Sequence, residues 1–324
     1  MRVFLDTNIW SYFADHDAGG DLAKTARTSK VQIVVSPAVV GEVQGIPVPG
    51  ARSKVIKLVT DPQWKRLMPE AFSECAEVKA EIKRLRPEWV IANPDTKELS
   101  RLRYDWVKRN GGYWDRARNA VTLPSTNESV RGEREAQLAE QEASEIRERM
   151  KKIKKGSESY LQNVAGLPKQ GTPGWNGLPV DYWRLPSLEF FSKELQVFAS
   201  PIREWLDSEI NVFAMAFDSE SMNRLWLHEL DSAAVPRQWL RGAFEFLQAW
   251  HKVTTGTPGD SRLATHLVDA EIIVSADKNF VRFAERCRAE APFAIGETLR
   301  APANREGVDE VLKLIAAIAS RDSD

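Results

Sequence analysis

In the stretch Val3-Phe4-Leu5-Asp6-Thr7-Asn8, a short apolar run ends in three polar residues. Such a run predicts a buried strand whose carboxyl end delivers polar side chains into a turn. A short helix over residues 9–13 is expected to follow. The chain therefore opens with a strand, a turn and a helix, the order from which α/β folds are built.

A second strand and helix follow after a short interval. Residues 31–35 are rich in Val and Ile, which favour strands. Ser36 and Pro37 come next, and they suit the N-cap and the first position of a helix. We expect this helix to run over residues 38–45 and to carry Glu42. Strand, helix, strand and helix in succession predict a parallel sheet with helices around it.

The same pattern returns near the end of the chain. It predicts, in order, a helix from Asp260 to about residue 268, a strand over 272–274, a helix over 279–290, a strand over 293–295 and an amphipathic helix over 308–319. Between residues 65 and 250 strand signals nearly vanish, and we expect a charged helix over 128–155 and a loop over 166–186. We therefore predict one α/β domain from residues 1–60 and 250–324, interrupted by a large, mostly helical insertion over 61–249.

The composition argues against several classes of protein. A net charge of −1 over 324 residues gives no overall basic character, although it leaves room for a local basic patch. Two Cys and four His, none of them spaced as ligand pairs, disfavour a disulfide framework and a zinc-histidine site. No stretch reaches the ~18 apolar residues that cross a membrane. The N-terminus also lacks the apolar core of a signal peptide, so we expect a cytoplasmic protein without a membrane partner.

Four acidic residues occupy related positions in this pattern. Asp6 and Asp277 each follow a predicted strand, Glu42 lies on the helix after the second strand, and Asp260 begins a helix. Each alone suits an ordinary role in a turn, a cap or a solvated helix face. In an open parallel sheet, however, the carboxyl ends of the strands share one edge, where ligands bind. We therefore expect the four carboxylates to converge.

Converging carboxylates repel one another unless a cation compensates them. Oxygen ligands without His or Cys suit Mg²⁺ or Mn²⁺. Such an ion polarises phosphate oxygens and lowers the pKa of a bound water. The sequence therefore favours hydrolysis of a phosphodiester at a metal site.

Four stretches resemble, in order, the four motifs of PIN-domain nucleases. They are residues 3–8, 36–42, 260–267 and 273–280. The resemblance implies a PIN-like three-layer α/β/α fold with a central parallel sheet. It also implies a divalent-metal endonuclease, most often acting on RNA, as in the toxin halves of bacterial toxin–antitoxin pairs.

The resemblance also assigns roles to individual residues. Asp6, Asp260 and Asp277 would bind Mg²⁺ or Mn²⁺, and Glu42 would complete the acidic ring. Asn8 and Ser275 would hold ligands or waters in place. This chain departs from compact family members because about 200 residues separate its second and third motifs. It is therefore not expected to be a minimal toxin.

Three other functions compete with this interpretation. A haloacid-dehalogenase-type phosphatase needs a second Asp two residues after the first as its general acid, and Asn8 stands there instead. A flap-type or single-strand DNA nuclease shares a related fold that helices interrupt. A catalytically idle PIN-like scaffold would bind RNA or a protein partner. Retention of all four acids favours an enzyme over the idle scaffold.

One stretch of the insertion has the composition of a nucleic-acid interface. Residues 78–118 hold eleven Lys and Arg against six Asp and Glu, with Trp89, Tyr104, Trp106, Tyr113 and Trp114 interleaved. Cations for phosphates and rings for unstacked bases suit single-stranded nucleic acid. The residues expected to contact it are Arg101, Arg103, Lys108 and Arg109. The alternative is an amphipathic helix pair with its aromatic residues in the core. The Trp- and Leu-rich stretches further on, at residues 226–230 and 239–240, would suit a protein partner or inhibitor, and they would suit an internal core still better.

Overall fold

A parallel sheet of five strands, in the order β3-β2-β1-β6-β7, forms the centre of the molecule. The structure, a computed structural model, describes residues 1–119, 161–249 and 257–321. The strands of this sheet are β1 (Arg2–Leu5), β2 (Gln32–Val35), β3 (Lys65–Arg66), β6 (Ile272–Ser275) and β7 (Glu297–Arg300). A separate antiparallel pair consists of β4 (Ala165–Gly166) and β5 (Val180–Asp181). The predicted α/β class with a central parallel sheet is confirmed.

Helices make up most of the remaining structure. The α-helices of the described residues are, in chain order, α1 (Thr7–Asp15), α2 (Gly19–Thr28), α3 (Pro37–Gln44), α4 (Pro49–Val59), α5 (Glu70–Leu85), α6 (Thr96–Val107), α7 (Tyr113–Asn119), α8 (Arg184–Gln196), α9 (Pro201–Asp207), α10 (Val212–Phe217), α11 (Ser219–Arg224), α12 (Pro236–Gln248), α13 (Thr257–Ala264), α14 (Lys278–Glu290) and α15 (Asn304–Arg321). Three short 3₁₀ turns, Pro87–Trp89, Leu161–Asn163 and Thr265–Val268, and a π-helical turn, Leu225–Glu229, join them.

Strand β1 lies in the middle of the sheet because its side chains are apolar on both faces. Val3, Phe4 and Leu5 are almost fully buried, and the strand pairs with β2 on one side and with β6 on the other. A strand covered on both faces has a continuous apolar run rather than an alternating one. The carboxyl ends of β1 and β6 therefore lie side by side.

Local signals predicted several elements correctly. Helix α1 follows β1 directly, and the Ser36 hydroxyl accepts a hydrogen bond from the Val39 backbone N–H at the start of α3 (3.4 Å). Pro37 is the first residue of α3, as its fixed φ angle favours. Helices α14 and α15 also occupy the predicted regions.

The edge strands were not predicted correctly. We expected a strand over residues 293–295, but pairing with β6 begins only at Glu297. A Cβ at Gly296 would collide with the Ala270 carbonyl oxygen. The chain therefore passes close to the backbone just before β6 and pairs with that strand only afterwards. Strand β3 gave no signal at all, because it is two polar residues long. Edge strands pair on one side only and need less apolar character than β1.

Two helix predictions were also partly wrong. Asp260 is the fourth residue of α13 rather than its cap, and α13 ends at Ala264, before the 3₁₀ turn. The expected loop over residues 166–186 contains β5 and the start of α8 at Arg184. The predicted charged helix over 128–155 lies outside the described residues.

The helical segment shares its apolar core with the sheet. Buried side chains from residues 61–249 and from the sheet belong to one continuous cluster. Helix α12 contacts α13 and α14, and strand β3 forms one edge of the sheet. The division into two domains stays a prediction. No helix of the described ranges is long and apolar enough to cross a membrane.

Candidate metal centre

Asp6 lies at the carboxyl end of the central strand and is almost completely buried. One of its carboxylate oxygens accepts a hydrogen bond from the Thr7 backbone N–H (2.6 Å) at the start of α1. The other accepts from the Asn8 side-chain amide (2.7 Å) and from the Ser275 hydroxyl. Ser275 ends β6, so the pairing of β1 with β6 is what brings it to Asp6.

Asn8 and Ser275 also connect Asp6 to the loop that carries Asp277. The Asn8 side-chain oxygen accepts from the Ala276 N–H (3.0 Å), and the Ser275 hydroxyl oxygen accepts from the Asp277 N–H (2.9 Å). Asp277 is exposed and caps α14, because its Oδ1 accepts from the N–H groups of Asn279 (2.6 Å) and Phe280 (3.0 Å). The two expected supporting residues therefore lie between the two strand-end carboxylates.

Glu42 reaches the same region from α3. Its Oε2 accepts a hydrogen bond from the Thr7 hydroxyl. Its Oε1 lies so close to Gly259 that a Cβ at that position would collide with it. A larger residue beside the first turn of α13 would require this carboxylate to shift. Because Asp260 directly follows Gly259 in the chain, this contact places Glu42 next to the backbone that carries Asp260.

Asp260 completes what we call the acidic cluster, which comprises Asp6, Glu42, Asp260 and Asp277. Its side chain is partly buried, and its Oδ2 accepts a hydrogen bond from the Gln248 side chain of α12 (3.4 Å). The pKa of Asp260 is raised to about 8, first by burial and then by the negative charges of the three other members. The structure thus places the four predicted acids in one electrostatically coupled group.

Two other carboxylates of the cluster, Glu42 and Asp6, are also held in a setting that disfavours their charge. Burial raises the pKa of Glu42 to about 7 against the hydrogen bond from Thr7, and the charge of Asp6 adds to the increase. Burial likewise raises the pKa of Asp6, although hydrogen bonds from Ser275, Thr7 and Asn8 oppose it. Clustered acids with raised pKa values are typical of functional sites, although structural networks also produce them.

The chemistry of the cluster fits a hard divalent cation, although its side chains are not arranged around one. The donors are all oxygens, as Mg²⁺ and Mn²⁺ prefer. A cation would also compensate the buried negative charge that raises the pKa of Asp260. In the described part of the chain, no group of three or more His, Cys, Asp or Glu side chains forms a ready-made metal site. Asp6 and Asp277 direct oxygens at N–H groups, and Glu42 directs one at Thr7.

The predicted basic residues of the helical segment are mostly paired. Arg101 forms an ion pair with Glu98 (2.6 Å) and Lys108 with Asp105 (3.3 Å), each within α6 or at its end. The Arg103 guanidinium lies 5.6 Å from the centroid of the Phe72 ring. The fourth predicted residue, Arg109, is exposed.

The aromatic residues interleaved with these cations divide into three groups. Trp89 and Trp114 are buried in the core, so the expectation that they face a nucleic acid is wrong. Trp106 and Tyr113 pack against each other with ring centroids 4.2 Å apart and ring planes tilted by 33°. Tyr104, 61% exposed, is the ring of this set that remains open to solvent. The helix-pair alternative therefore explains most of the aromatic residues.

Sequence reasoning missed three residues that shape the cluster. Thr7 lies within the first motif, but its contact with Glu42 spans 35 residues. Gly259 and Gln248 precede Asp260 without any local signal that they would touch the cluster. Comparison of the chain with protein-family models, curated proteins and solved structures finds no match, so the family resemblance rests on the four sequence motifs alone.

Proposed function

We propose that this protein is a Mg²⁺- or Mn²⁺-dependent endonuclease of the PIN type that cleaves single-stranded or structured RNA in the cytoplasm. The observation that carries the proposal is that hydrogen bonds and charge interactions link four acidic residues from four separate segments at the carboxyl edge of a parallel sheet. Buried carboxylates in such a group are costly unless they serve a ligand or a cation. Their order in the chain, which matches the PIN motifs, supports the same conclusion.

The residues of the acidic cluster divide the work between them. Asp6, Asp260 and Asp277 would hold the cation, and Glu42 would complete the negative ring. When bound, the cation would polarise a phosphate oxygen and make a water more acidic. Thr7 orients Glu42, while Asn8 and Ser275 hold Asp6 against the Asp277 loop. Exposed Arg262 on α13 places a positive charge beside Glu42, where a substrate phosphate can contact it.

The helical segment is proposed to engage the RNA or a protein partner rather than to perform chemistry. Tyr104 of α6 and Arg109, two residues after its end, are exposed and could contact such a partner. The idle-scaffold and DNA-nuclease alternatives are distinguished by the same assay that tests the main proposal.

The assay uses purified full-length protein with end-labelled single-stranded RNA, structured RNA, single-stranded DNA and duplex DNA, with Mn²⁺ or with EDTA. We expect RNA cleavage by the wild-type protein in Mn²⁺ and none in EDTA. Asp6→Asn should abolish cleavage, because a carboxamide keeps the shape but loses the charge. Asp21→Asn is the matched control, because Asp21 is exposed on α2.

Each outcome assigns a function. Cleavage of DNA alone would favour the flap-type or single-strand DNA nuclease. RNA binding without cleavage in Mn²⁺ would favour the idle scaffold. Cleavage by Asp6→Asn, or by the wild-type protein in EDTA, would refute the proposed role of the acidic cluster.

A further inference from the structure

A buried histidine, His266, lies in the turn directly after α13, the helix that carries Asp260. Its side chain is 1% exposed and stacks on Phe4 of β1, with ring centroids 5.6 Å apart. Nε2 lies 2.7 Å from a Glu70 oxygen, and Nδ1 lies 2.8 Å from an Asp269 oxygen. Ionised carboxylates only accept hydrogen bonds, so both ring nitrogens donate and the ring is an imidazolium.

The electrostatics of His266 agree with this geometry. Burial lowers its pKa, but the hydrogen bonds to Asp269 and Glu70 and the charges of both residues outweigh burial and raise the pKa to about 9. In the same way, the bond from His266 and its charge outweigh burial and lower the pKa of Glu70. A charged triplet is therefore buried at neutral pH.

Glu70 extends this triplet to the helix that carries Glu42. The same Oε1 that faces His266 also accepts a hydrogen bond from the Ala38 backbone N–H (3.1 Å) in the first turn of α3. Glu42 lies one turn further along α3, and the charge of Glu70 contributes to its raised pKa. Glu70 is itself the first residue of α5, in the helical segment.

His266 and Glu70 together therefore adjoin three of the secondary-structure elements that carry residues of the acidic cluster. His266 stacks on β1, which ends at Asp6, and it continues the chain from α13. Glu70 holds the start of α3.

Asp269, the other partner of the imidazolium, faces a different set of charges. Asp269 forms an ion pair with Arg237 of α12 (2.5 Å), and Arg237 also pairs with Glu77 of α5. The charge of Arg2 makes a minor contribution to lowering the pKa of Asp269. No described contact joins Asp269 to α3. The two carboxylates thus bind the same ring at nearly the same distance, but Glu70 alone of the two is hydrogen-bonded to the Glu42 helix.

We propose that Glu70 and His266 are positioning residues that set the spacing between α3 and α13, and thereby hold Glu42 of the negative ring beside Asp260, one of the proposed cation ligands. The inference rests on the proposed function and extends it, because it gives the helical segment a part in the metal site. Neither residue contacts the cation. Residues that orient metal ligands from behind typically cost about 10–100-fold in metal affinity when they are changed.

The test measures Mn²⁺ binding by calorimetry at 10 °C to the folded wild-type protein, Glu70→Gln and Asp269→Asn, with circular dichroism confirming the fold of each. We expect the Mn²⁺ dissociation constant to rise about 10–100-fold in Glu70→Gln. We expect Asp269→Asn to stay within about threefold of the wild-type value, even though it loses stability. If Glu70 had a purely structural role, the two variants would lose Mn²⁺ affinity equally, because each removes one carboxylate charge from beside the same imidazolium.

A second variant covers the case in which Glu70→Gln does not fold. Glu70→Asp keeps the charge but shortens the side chain, so it cannot reach Ala38 and His266 together, and the same loss of Mn²⁺ affinity is expected. Unchanged affinity in the folded Glu70 variant, or an equal loss in Asp269→Asn, would overturn the positioning role alone. A wild-type protein that does not bind Mn²⁺ would overturn the proposed function and this inference with it.

Discussion

Replacing His266 with Gln should change how the stability of the protein depends on pH. The pKa of His266 is about 9 in the folded protein, against 6.5 for an ordinary histidine. Each pKa unit corresponds to about 1.4 kcal/mol, so the gap contributes about 3 kcal/mol to the free energy of unfolding. Because the folded value is raised, this contribution is complete below pH 6.5 and is lost as the pH rises through 9.

Urea unfolding of the wild-type protein and His266→Gln at intervals from pH 6 to 9.5 measures this contribution. Burial also raises the pKa values of Glu42, Glu77 and Asp260, so the wild-type curve alone combines several groups. The difference between the two proteins removes the contributions of those three groups and leaves that of His266 with its two carboxylate partners. We expect that difference to be about 3 kcal/mol larger at pH 6 than at pH 9.5.

The control for this measurement is His16→Gln, because the His16 side chain is exposed. Its unfolding curve should follow that of the wild-type protein across the whole range. If the difference between wild type and His266→Gln stays constant within about 0.5 kcal/mol, the imidazole does not carry a charge between Glu70 and Asp269. The reasoning about the buried triplet would then fail.

Four further predictions concern the acidic cluster and the helical segment. Asp277→Asn should reduce Mn²⁺-dependent cleavage by more than about 100-fold, beyond the typical cost of an outer residue, with the circular dichroism spectrum unchanged; near-normal rates would remove Asp277 from the site. Gly259→Ala should displace the Glu42 carboxylate and reduce cleavage while changing stability by less than about 1 kcal/mol, whereas Gly41→Ala, which has open space around its Cβ, should keep full activity. At 100 times its dissociation constant, Mn²⁺ should stabilise the wild-type protein by about 2.7 kcal/mol, measured as a shift in the urea midpoint, and an equal shift in Asp260→Asn would contradict the ligand assignment. Neutralising Arg101, Arg103, Lys108 and Arg109 together should weaken RNA binding and flatten its dependence on salt, and an unchanged salt slope in a filter-binding assay would assign these residues to packing.

The elements that sequence alone determined are those whose signals are local. Strands β1, β2 and β6 are short apolar runs that end in polar residues, and α3 begins at a Ser-Pro pair. Such an element can be recognised from a few consecutive residues, because an apolar run and a capping residue are both local features of the sequence. Equally short stretches located the four acids and their order, and hence predicted that they would meet.

Tertiary structure decided everything that depends on which segments become neighbours. The order β2-β1-β6 selects Ser275 as the partner of Asp6, and the position of α13 against α3 makes Gly259 a constraint on Glu42. The two edge strands have little apolar character of their own and exist because a partner offers them free backbone groups. His266 and Glu70 are 196 residues apart in the chain, and only packing brings their charges together. No local rule chooses such a partner, since a buried charge is stabilised by whatever opposite charge the completed core places beside it.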